Sequence, residues 1–279
     1  MAEHRHRLKL WGVRGTVPTP TPGMLRYGGN TICLGGALGE DEYLVIDCGT
    51  GARPFGAEIA ATRRGKPTRI HMLFSHFHFD HVEGLPLFLP LYDPCSTISI
   101  HGFAPVGRSL RAVFEELITP PYFPVRLSGT PAKIEYVEIH DRRPFNVGDV
   151  RVDTLPLNHP DGSLAYRLER AGRSVVFATD HEHGVAPVDA ALVEFCRGAD
   201  HLIYDATYMP AEYESMRRGW GHSTWYAAVA TAKAAGVGDL ILFHHHPEHS
   251  DDELDAIGEL ARAEFPAARV AREGVELEL

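Results

Sequence analysis

The feature that most constrains this chain is a cluster of four metal-binding side chains within six consecutive positions, residues 76–81. The cluster comprises His76, His78, Asp80 and His81. It directly follows the apolar run 70–74, which is typical of a buried strand, and residues 82–85 are predicted to begin a short helix. We therefore expect the cluster at the carboxyl end of a strand, where α/β proteins usually place their chemistry.

The spacing within the cluster suits two adjacent metal ions better than one. His76 and His78, two residues apart in an extended turn, can direct their imidazoles to one side, whereas Asp80 and His81 face a neighbouring point. Imidazole and carboxylate together favour zinc, manganese or iron, and nitrogen and oxygen donors alone leave the choice open. We expect two divalent ions, with zinc as the first candidate and manganese or iron as alternatives.

The pattern His-x-His-x-Asp-His at 76–81 resembles the signature of the metallo-β-lactamase superfamily. The resemblance covers nearly the whole chain. It implies an α/β fold, the four-layer αβ/βα sandwich, with the metal site at one edge between two sheets. No linker or low-complexity segment divides the 279 residues, so we predict a single hydrolase domain spanning 1–279.

The other ligands that this resemblance implies follow later strands. His159 lies in a bend between two predicted strands, and Asp180 ends a very apolar strand, where an unpaired carboxylate would be costly. The superfamily pattern places its last imidazole directly after the strand 240–243, which selects His244 and leaves His245 as the alternative. The implied ligands are His76, His78 and His159 for one ion, Asp80, His81 and His244 for the other, and Asp180 between them.

Composition narrows the class of protein. The hydrophobic content of 44% is ordinary for a globular chain, and the four cysteines form no Cys-x-x-Cys pair, which argues against a disulfide framework or a thiolate zinc site. The formal net charge of -10 opposes electrostatic attraction of a polyanion, so we expect a small phosphodiester substrate rather than a long nucleic acid.

The segment Met1 to Lys9 lacks the apolar core of a signal peptide, and no apolar stretch is long enough to span a membrane. A cytoplasmic location without membrane partners is expected, and the oligomeric state stays open, a homodimer included.

Two positions in the ligand set distinguish branches of the superfamily. A Glu at position 78 would resemble the di-iron, oxygen-reducing branch, so His78 implies hydrolysis. The best-known zinc β-lactamases carry Cys where Asp180 falls. Glyoxalase II-like thioesterases share the ligand set, and a thioesterase or lactonase therefore remains an alternative.

A downstream element favours phosphodiesterases. The residues Asp205-Ala206-Thr207 and His222-Ser223 resemble the acidic-x-Thr and His-Ser/Thr elements of tRNase Z-like phosphodiesterases. The resemblance implies that His222 helps to protonate the leaving oxygen and that Asp205 supports it or a metal ligand. The alternative for His222 is a surface loop residue beside a helix cap. Ser223 is expected to cap a helix over 223–235, whose N-terminus favours an anionic substrate.

The opening segments 11–18 and 26–31 look like those of bacterial hydrolases related to the cyclic-nucleotide phosphodiesterase and PhnP branch. They flank a Gly- and Pro-rich loop in which Arg14 and Asn30 are candidate phosphate contacts, although Arg14 can equally be a surface charge. A long Gly/Lys-rich arm of the kind that tRNase Z uses to hold the tRNA elbow is missing from the sequence. A tRNA 3′-processing endonuclease is therefore a less favoured alternative, and short oligonucleotides stay open.

The resulting hypothesis is a dinuclear metal-dependent hydrolase of small or cyclic phosphodiesters, in which metal-activated hydroxide attacks phosphorus. Asp80 would bind metal and orient the nucleophile, and His222 would act as the general acid. A sensory module that binds the metals without turnover is the alternative from another class. The complete ligand set together with His222 argues against it, because a pure binder needs no proton donor.

Overall fold

The computed structural model describes residues 6–279 and arranges them around two seven-stranded sheets. Residues 1–5 lie outside the described part. The expectation that Met1 to Lys9 is not a signal peptide therefore falls partly outside it. Among the described residues, no helix is both long enough and apolar enough to cross a membrane.

The strands are β1 (Arg7–Gly12), β2 (Cys33–Ala37), β3 (Glu42–Ile46), β4 (Thr68–Leu73), β5 (Ser96–Gly102), β6 (Lys133–Glu138), β7 (Phe145–Val147), β8 (Val150–Leu157), β9 (Ser163–Arg170), β10 (Arg173–Ala178), β11 (His201–Asp205), β12 (Asp239–Phe243), β13 (Ala268–Val270) and β14 (Glu276–Glu278). The α-helices are α1 (Ala52–Arg63), α2 (Phe79–Val82), α3 (Leu110–Leu117), α4 (Ala190–Cys196), α5 (Pro210–Glu212), α6 (Trp225–Ala235) and α7 (Asp251–Glu264). A π-helical turn, Tyr213–Arg217, continues α5, and short 3-10 turns occupy Leu85–Leu87, Leu89–Tyr92 and Leu127–Gly129.

The two sheets are mixed and similar in plan. The first has the order β14-β1-β2-β3-β4-β5-β6, and the second has β13-β12-β11-β10-β9-β8-β7. Strands β3 to β6 are parallel in the first sheet, as are β10 to β13 in the second. Because parallel strands end at the same edge, the loops after β3 and β4, and those after β10 to β12, each gather at one edge of their sheet.

Side-chain alternation along the strands explains the layers. In β3, Ile46 joins an apolar cluster shared by both sheets, whereas its neighbour Val45 joins the cluster that contains Phe55 of α1. In β12, Phe243 joins the shared cluster and Leu242 packs with the cluster beneath α6 and α7. Helices therefore cover the outer face of each sheet, and the predicted αβ/βα sandwich is confirmed.

Two predicted helix starts are wrong. The short helix expected from 82 begins at Phe79, so that two of the clustered side chains lie on α2 itself. The helix expected over 223–235 begins at Trp225, and Thr224 caps it by accepting a hydrogen bond from the backbone amide three residues on.

Candidate metal centre

Seven side chains from four chain segments converge at the edge where the two sheets meet. The candidate ligand atoms of His76, His78, His159 and Asp180 all lie within 4.8 Å of one another, as do those of Asp80, His81 and His244. Asp180 contacts both groups, because its Oδ1 is 3.7 Å from Nε2 of His76 and its Oδ2 is 3.2 Å from Nε2 of His81. The structure thus brings together all seven residues that the sequence predicted as ligands.

The donor atoms fit bound metal ions. Nε2 of His76 and Nε2 of His81 are buried and have no hydrogen-bond partner among the described residues, a costly arrangement for a polar atom. Donor atoms of a tetrahedral shell with bonds of about 2.0–2.2 Å lie about 3.3–3.6 Å apart. Here Nε2 of His159 is 3.7 Å from Oδ1 of Asp180, and Nε2 of His244 is 3.2 Å from Oδ2 of Asp80. The all-nitrogen and oxygen donor set suits metal binding without selecting the metal.

Burial and neighbouring charges set the electrostatics of the centre. Burial would raise the pKa of Asp180, but His244, His81 and His76 hold it well below its ordinary value. Burial, with a smaller contribution from His81, lowers the pKa of His76 well below its usual value. Burial also acts to lower the pKa of His244, yet Asp180 and Asp80 outweigh it and raise this pKa to about 9. The carboxylates therefore require adjacent positive charge, which a bound cation supplies in place of imidazole protons.

Asp47 orients one imidazole of the cluster. Its carboxylate accepts a hydrogen bond from Nδ1 of His81 at 2.8 Å and two more from the amide and hydroxyl of Ser75. These contacts leave Nε2 of His81 directed at Asp180. The bond to His81 gives Asp47 a supporting role behind the metal site.

Two further imidazoles are held in the same way. Nδ1 of His159 donates to the carbonyl of Gly221 at 2.8 Å, and Nδ1 of His244 donates to the hydroxyl of Thr207 at 2.9 Å. His245, the alternative to His244, turns away from the cluster, and its Nε2 bonds the carbonyl of Ala271 instead. Of the two adjacent histidines, His244 is therefore the one that the structure brings into the centre.

Left-handed backbone directs several of these side chains. Asp47, Asp180 and His244 have φ angles of 57°, 57° and 61°, and each lies within two residues of the end of its strand. Thr16 has a φ of 68°, and its amide donates to Oδ2 of Asp80 at 2.7 Å. Such conformations cost of order 1 kcal/mol or more in non-glycine residues and concentrate at functional sites.

Asp205 and His222 form a pair beside the cluster. Nδ1 of His222 is 2.8 Å from Oδ2 of Asp205, and the His222 ring stacks on that of His244 with centroids 4.6 Å apart. Asp205 is fully buried and also accepts hydrogen bonds from the amides of Ser223 and Asp180. His222, Asp180 and His244 also form a group close enough to hold an ion, so ligation by His222 is a second geometric option.

Three predicted substrate contacts do not reach the cavity, which corrects their assignment. Arg14 is completely buried, Asn30 donates its side-chain amide to Glu273, and the buried hydroxyl of Ser223 donates to the carbonyl of His181. The Arg14 guanidinium donates to the carbonyls of Met24, Gly28, His246 and His249. All three side chains hold loops in place instead of facing a substrate.

A cavity of about 450 Å³ lies in front of the cluster, a size ordinary for a small-molecule site. Its lining includes His78, Asp80, Asp180 and His222, together with Phe79, Tyr208, Arg217 and Trp220. Reasoning from the sequence missed these last four, because single aromatic and arginine residues carry no spacing or periodicity signal.

Known proteins resemble this chain in sequence and in fold. The sequence model of a family described as the beta-lactamase superfamily domain matches residues 42–245, a range that contains all seven clustered residues. Ribonuclease Z of Synechococcus sp. (strain WH7803) is 27% identical over an alignment of 295 positions, which covers 86% of this chain and 88% of that protein.

Solved structures share the whole architecture. The metallo-beta-lactamase fold protein YhfI from Bacillus subtilis superposes with a TM-score of 0.71 at 21% identity, covering 98% of this chain and 99% of that one. A diphosphatase from the PhnP family superposes with a TM-score of 0.69 at 19% identity, covering 99% and 98% of the two chains. At these identities, the likeness concerns the fold.

Proposed function

The chain belongs to the family described as the beta-lactamase superfamily domain and is a metal-dependent hydrolase, and we propose that it hydrolyses small or cyclic phosphodiesters. The seven clustered residues would hold two divalent ions, with zinc as the first candidate and manganese or iron as alternatives. The observation that carries the proposal is His222, which is bound to buried Asp205 and lines the same cavity as Asp80 and Asp180. A phosphodiester needs positive charge beside its oxygens and a proton for its leaving oxygen, and this cavity offers places for both.

Bound there, the ions would supply Lewis-acid charge and a water of lowered pKa. The residues of the chain then position the reactants. The Thr16 amide fixes one oxygen of Asp80, so that this carboxylate keeps one orientation at the cavity wall. Because Nδ1 of His222 faces Asp205, its Nε2 is left to give a proton to the leaving oxygen, and Asp205 fixes the orientation of the ring.

Substrate size and leaving group separate this proposal from its rivals. The relative named ribonuclease Z supports phosphodiester chemistry, but the net charge of -10 and the cavity of about 450 Å³ favour a small substrate over a long RNA. A thiolate departs without a proton donor more readily than an alkoxide, so the Asp205–His222 pair favours a phosphodiester over a thioester.

Assaying the metal-loaded protein with bis-p-nitrophenyl phosphate, cyclic nucleotides, an acyl thioester and a tRNA precursor tests these alternatives. Thioester-only or precursor-only cleavage would overturn the proposal.

Replacing His222 tests the proton donor. In His222→Ala, we expect kcat to fall about 10²- to 10⁴-fold for a diester with a sugar leaving group. The loss should be much smaller with a p-nitrophenolate leaving group, which departs without a proton. Two metals per chain should remain by elemental analysis, and a loss of metal would make His222 a ligand instead. His140→Ala, at a largely exposed histidine paired with Glu138, is the matched control and should change neither quantity.

A further inference from the structure

Two large aromatic side chains at the cavity are exposed without a packing reason. Phe79 is 74% exposed and Trp220 is 56% exposed, yet both line the cavity in front of the metal cluster. Aromatic rings of this size are normally buried because of their large apolar area. These two rings, which we call the platform, both offer apolar surface to a ligand in this cavity.

Arg217 adds a positive charge to the same cavity, which Asp80 and Asp180 also line. Among the described residues that line the cavity, Arg217 is the only lysine or arginine. Its guanidinium lies 4.5 Å from the ring centre of Trp220 and 5.9 Å from that of Tyr208. The adjacent Arg218 bonds Glu214 at 2.6 Å, whereas Arg217 forms no ion pair within residues 6–279. In a chain with ten more acids than bases, an unpaired arginine in a cavity favours an anionic ligand group.

The segment that carries Arg217 and Trp220 is anchored at both ends. The carboxylate of Glu182 accepts hydrogen bonds from the hydroxyl of Tyr213 and from the amides of Gly219 and Gly221, at 2.8, 2.7 and 2.9 Å. These bonds fix the Tyr213 side chain before Arg217 and the backbone on either side of Trp220. The segment that carries Arg217 and Trp220 is therefore held in position before a ligand binds, which reduces the entropy lost on binding.

We propose that this rim binds the base of a nucleoside phosphate, with the flat ring on Trp220 and Phe79 and a phosphate oxygen on Arg217. The inference rests on the proposed function, because it names the substrate class of the same cavity. Stacking tolerates any base, since every base presents a π-face, and it contributes about tenfold or more to affinity per stacked base. The cavity of about 450 Å³ has room for one nucleotide.

Equilibrium binding to the metal-loaded protein tests the platform without any turnover. The probes are adenosine 5′-monophosphate and ribose 5-phosphate, which share the sugar and the phosphate and differ in the base. We expect the wild-type protein to bind the nucleotide about tenfold more tightly, and Trp220→Ala and Phe79→Leu each to reduce that preference. Trp220→Phe, which keeps an aromatic face, should retain most of it. Arg217→Ala should weaken both ligands by a similar factor.

Matched controls isolate these residues. Tyr226→Ala removes an aromatic ring that is 51% exposed on α6 outside the cavity, and Arg218→Ala removes the neighbouring, paired arginine. Both should keep the wild-type preference. Equal binding of the two probes by the wild-type protein, or a preference that survives both Trp220→Ala and Phe79→Leu, would overturn the inference. A nucleotide preference in a protein that cleaves no phosphodiester would instead refute the proposed function and leave the platform standing.

Discussion

His76 illustrates, at the scale of a single residue, why a metal explains the centre better than packing does. Its Nε2 is buried without a partner and lies 3.7 Å from Oδ1 of Asp180. His71, which lies outside the cluster, satisfies both ring nitrogens with Ser99 and Glu42. An ion between the imidazole and the carboxylate removes the cost of the unpaired nitrogen.

Metal content tests this interpretation directly. His76→Ala and Asp180→Asn should each bind fewer than two ions per chain after exhaustive dialysis, because each removes a donor from a buried shell. The measurement is elemental analysis of the purified variants. His71→Ala, which changes a half-buried histidine outside the cluster, should keep both ions. A full complement of metal in His76→Ala would exclude this residue as a ligand.

Arg14 tests the structural role that replaces its predicted phosphate contact. In Arg14→Met, four carbonyls lose a charged donor inside the protein. We expect the free energy of unfolding to fall by about 3 kcal/mol in urea denaturation. Arg26→Met, in the same loop, breaks ion pairs to Asp252 and Asp255 from a side chain that is 46% exposed, and should cost about 1 kcal/mol or less. Equal effects of the two changes would contradict the buried role of Arg14.

The residues that sequence reasoning found and missed differ in where their partners lie. Four ligands are neighbours in the chain, so their spacing alone predicted a metal site. The contacts of Arg14 with His246 and His249 join residues more than 230 positions apart, and no local pattern encodes them. Trp220 likewise has no neighbour pattern that distinguishes a cavity wall from an exposed loop.

At the scale of elements, strand ends were easier to predict than helix starts. Apolar runs end abruptly where polar ligands begin, and this fixed the positions of β4 and β12. The start of α2 gave no such signal, because its N-cap is His78, which is not a usual capping residue and makes no capping bond. Ser223 and Thr224 are both good caps, but the Ser223 hydroxyl is already bonded to the carbonyl of His181, and Thr224 takes the capping role.

Glu182 is expected to control the loop that carries the cavity rim. In Glu182→Gln, one carboxylate oxygen becomes an amide NH₂ group, so an acceptor is lost beside the amides of Gly219 and Gly221. Because the Gly221 carbonyl holds His159, we expect kcat/KM to fall roughly tenfold, in the range usual for residues that support a metal ligand. Faster hydrogen exchange at residues 218–222 should accompany the loss. Glu214→Gln, which breaks only a surface pair with Arg218, is the control and should leave exchange at these amides unchanged.

At the scale of the whole molecule, the ligands couple the two halves of the sandwich. His76 to His81 follow β4 in the first sheet, whereas His159, Asp180 and His244 follow strands of the second. Both sheets also contribute to one apolar cluster, which includes Ile46 from one and Phe243 from the other. The resemblance could predict this sandwich, but the pairing of particular side chains across the two sheets depends on tertiary packing that a single sequence does not display.

Removing the metals should therefore destabilise the whole chain and not one part of it. Ions that bind only the folded form add about 2.7 kcal/mol each at a hundred times their dissociation constant, which corresponds to a rise in Tm of roughly 5–10 °C. In calorimetry, the chelated protein should unfold at a lower temperature than the loaded protein, and both should show one transition if 1–279 is a single domain. Asp180→Asn removes the carboxylate that contacts both ligand groups, and its Tm should respond weakly to added metal. Two separate transitions would contradict the single domain. A Tm unaffected by chelation would show that the ions do not join the two sheets, whatever their role in catalysis.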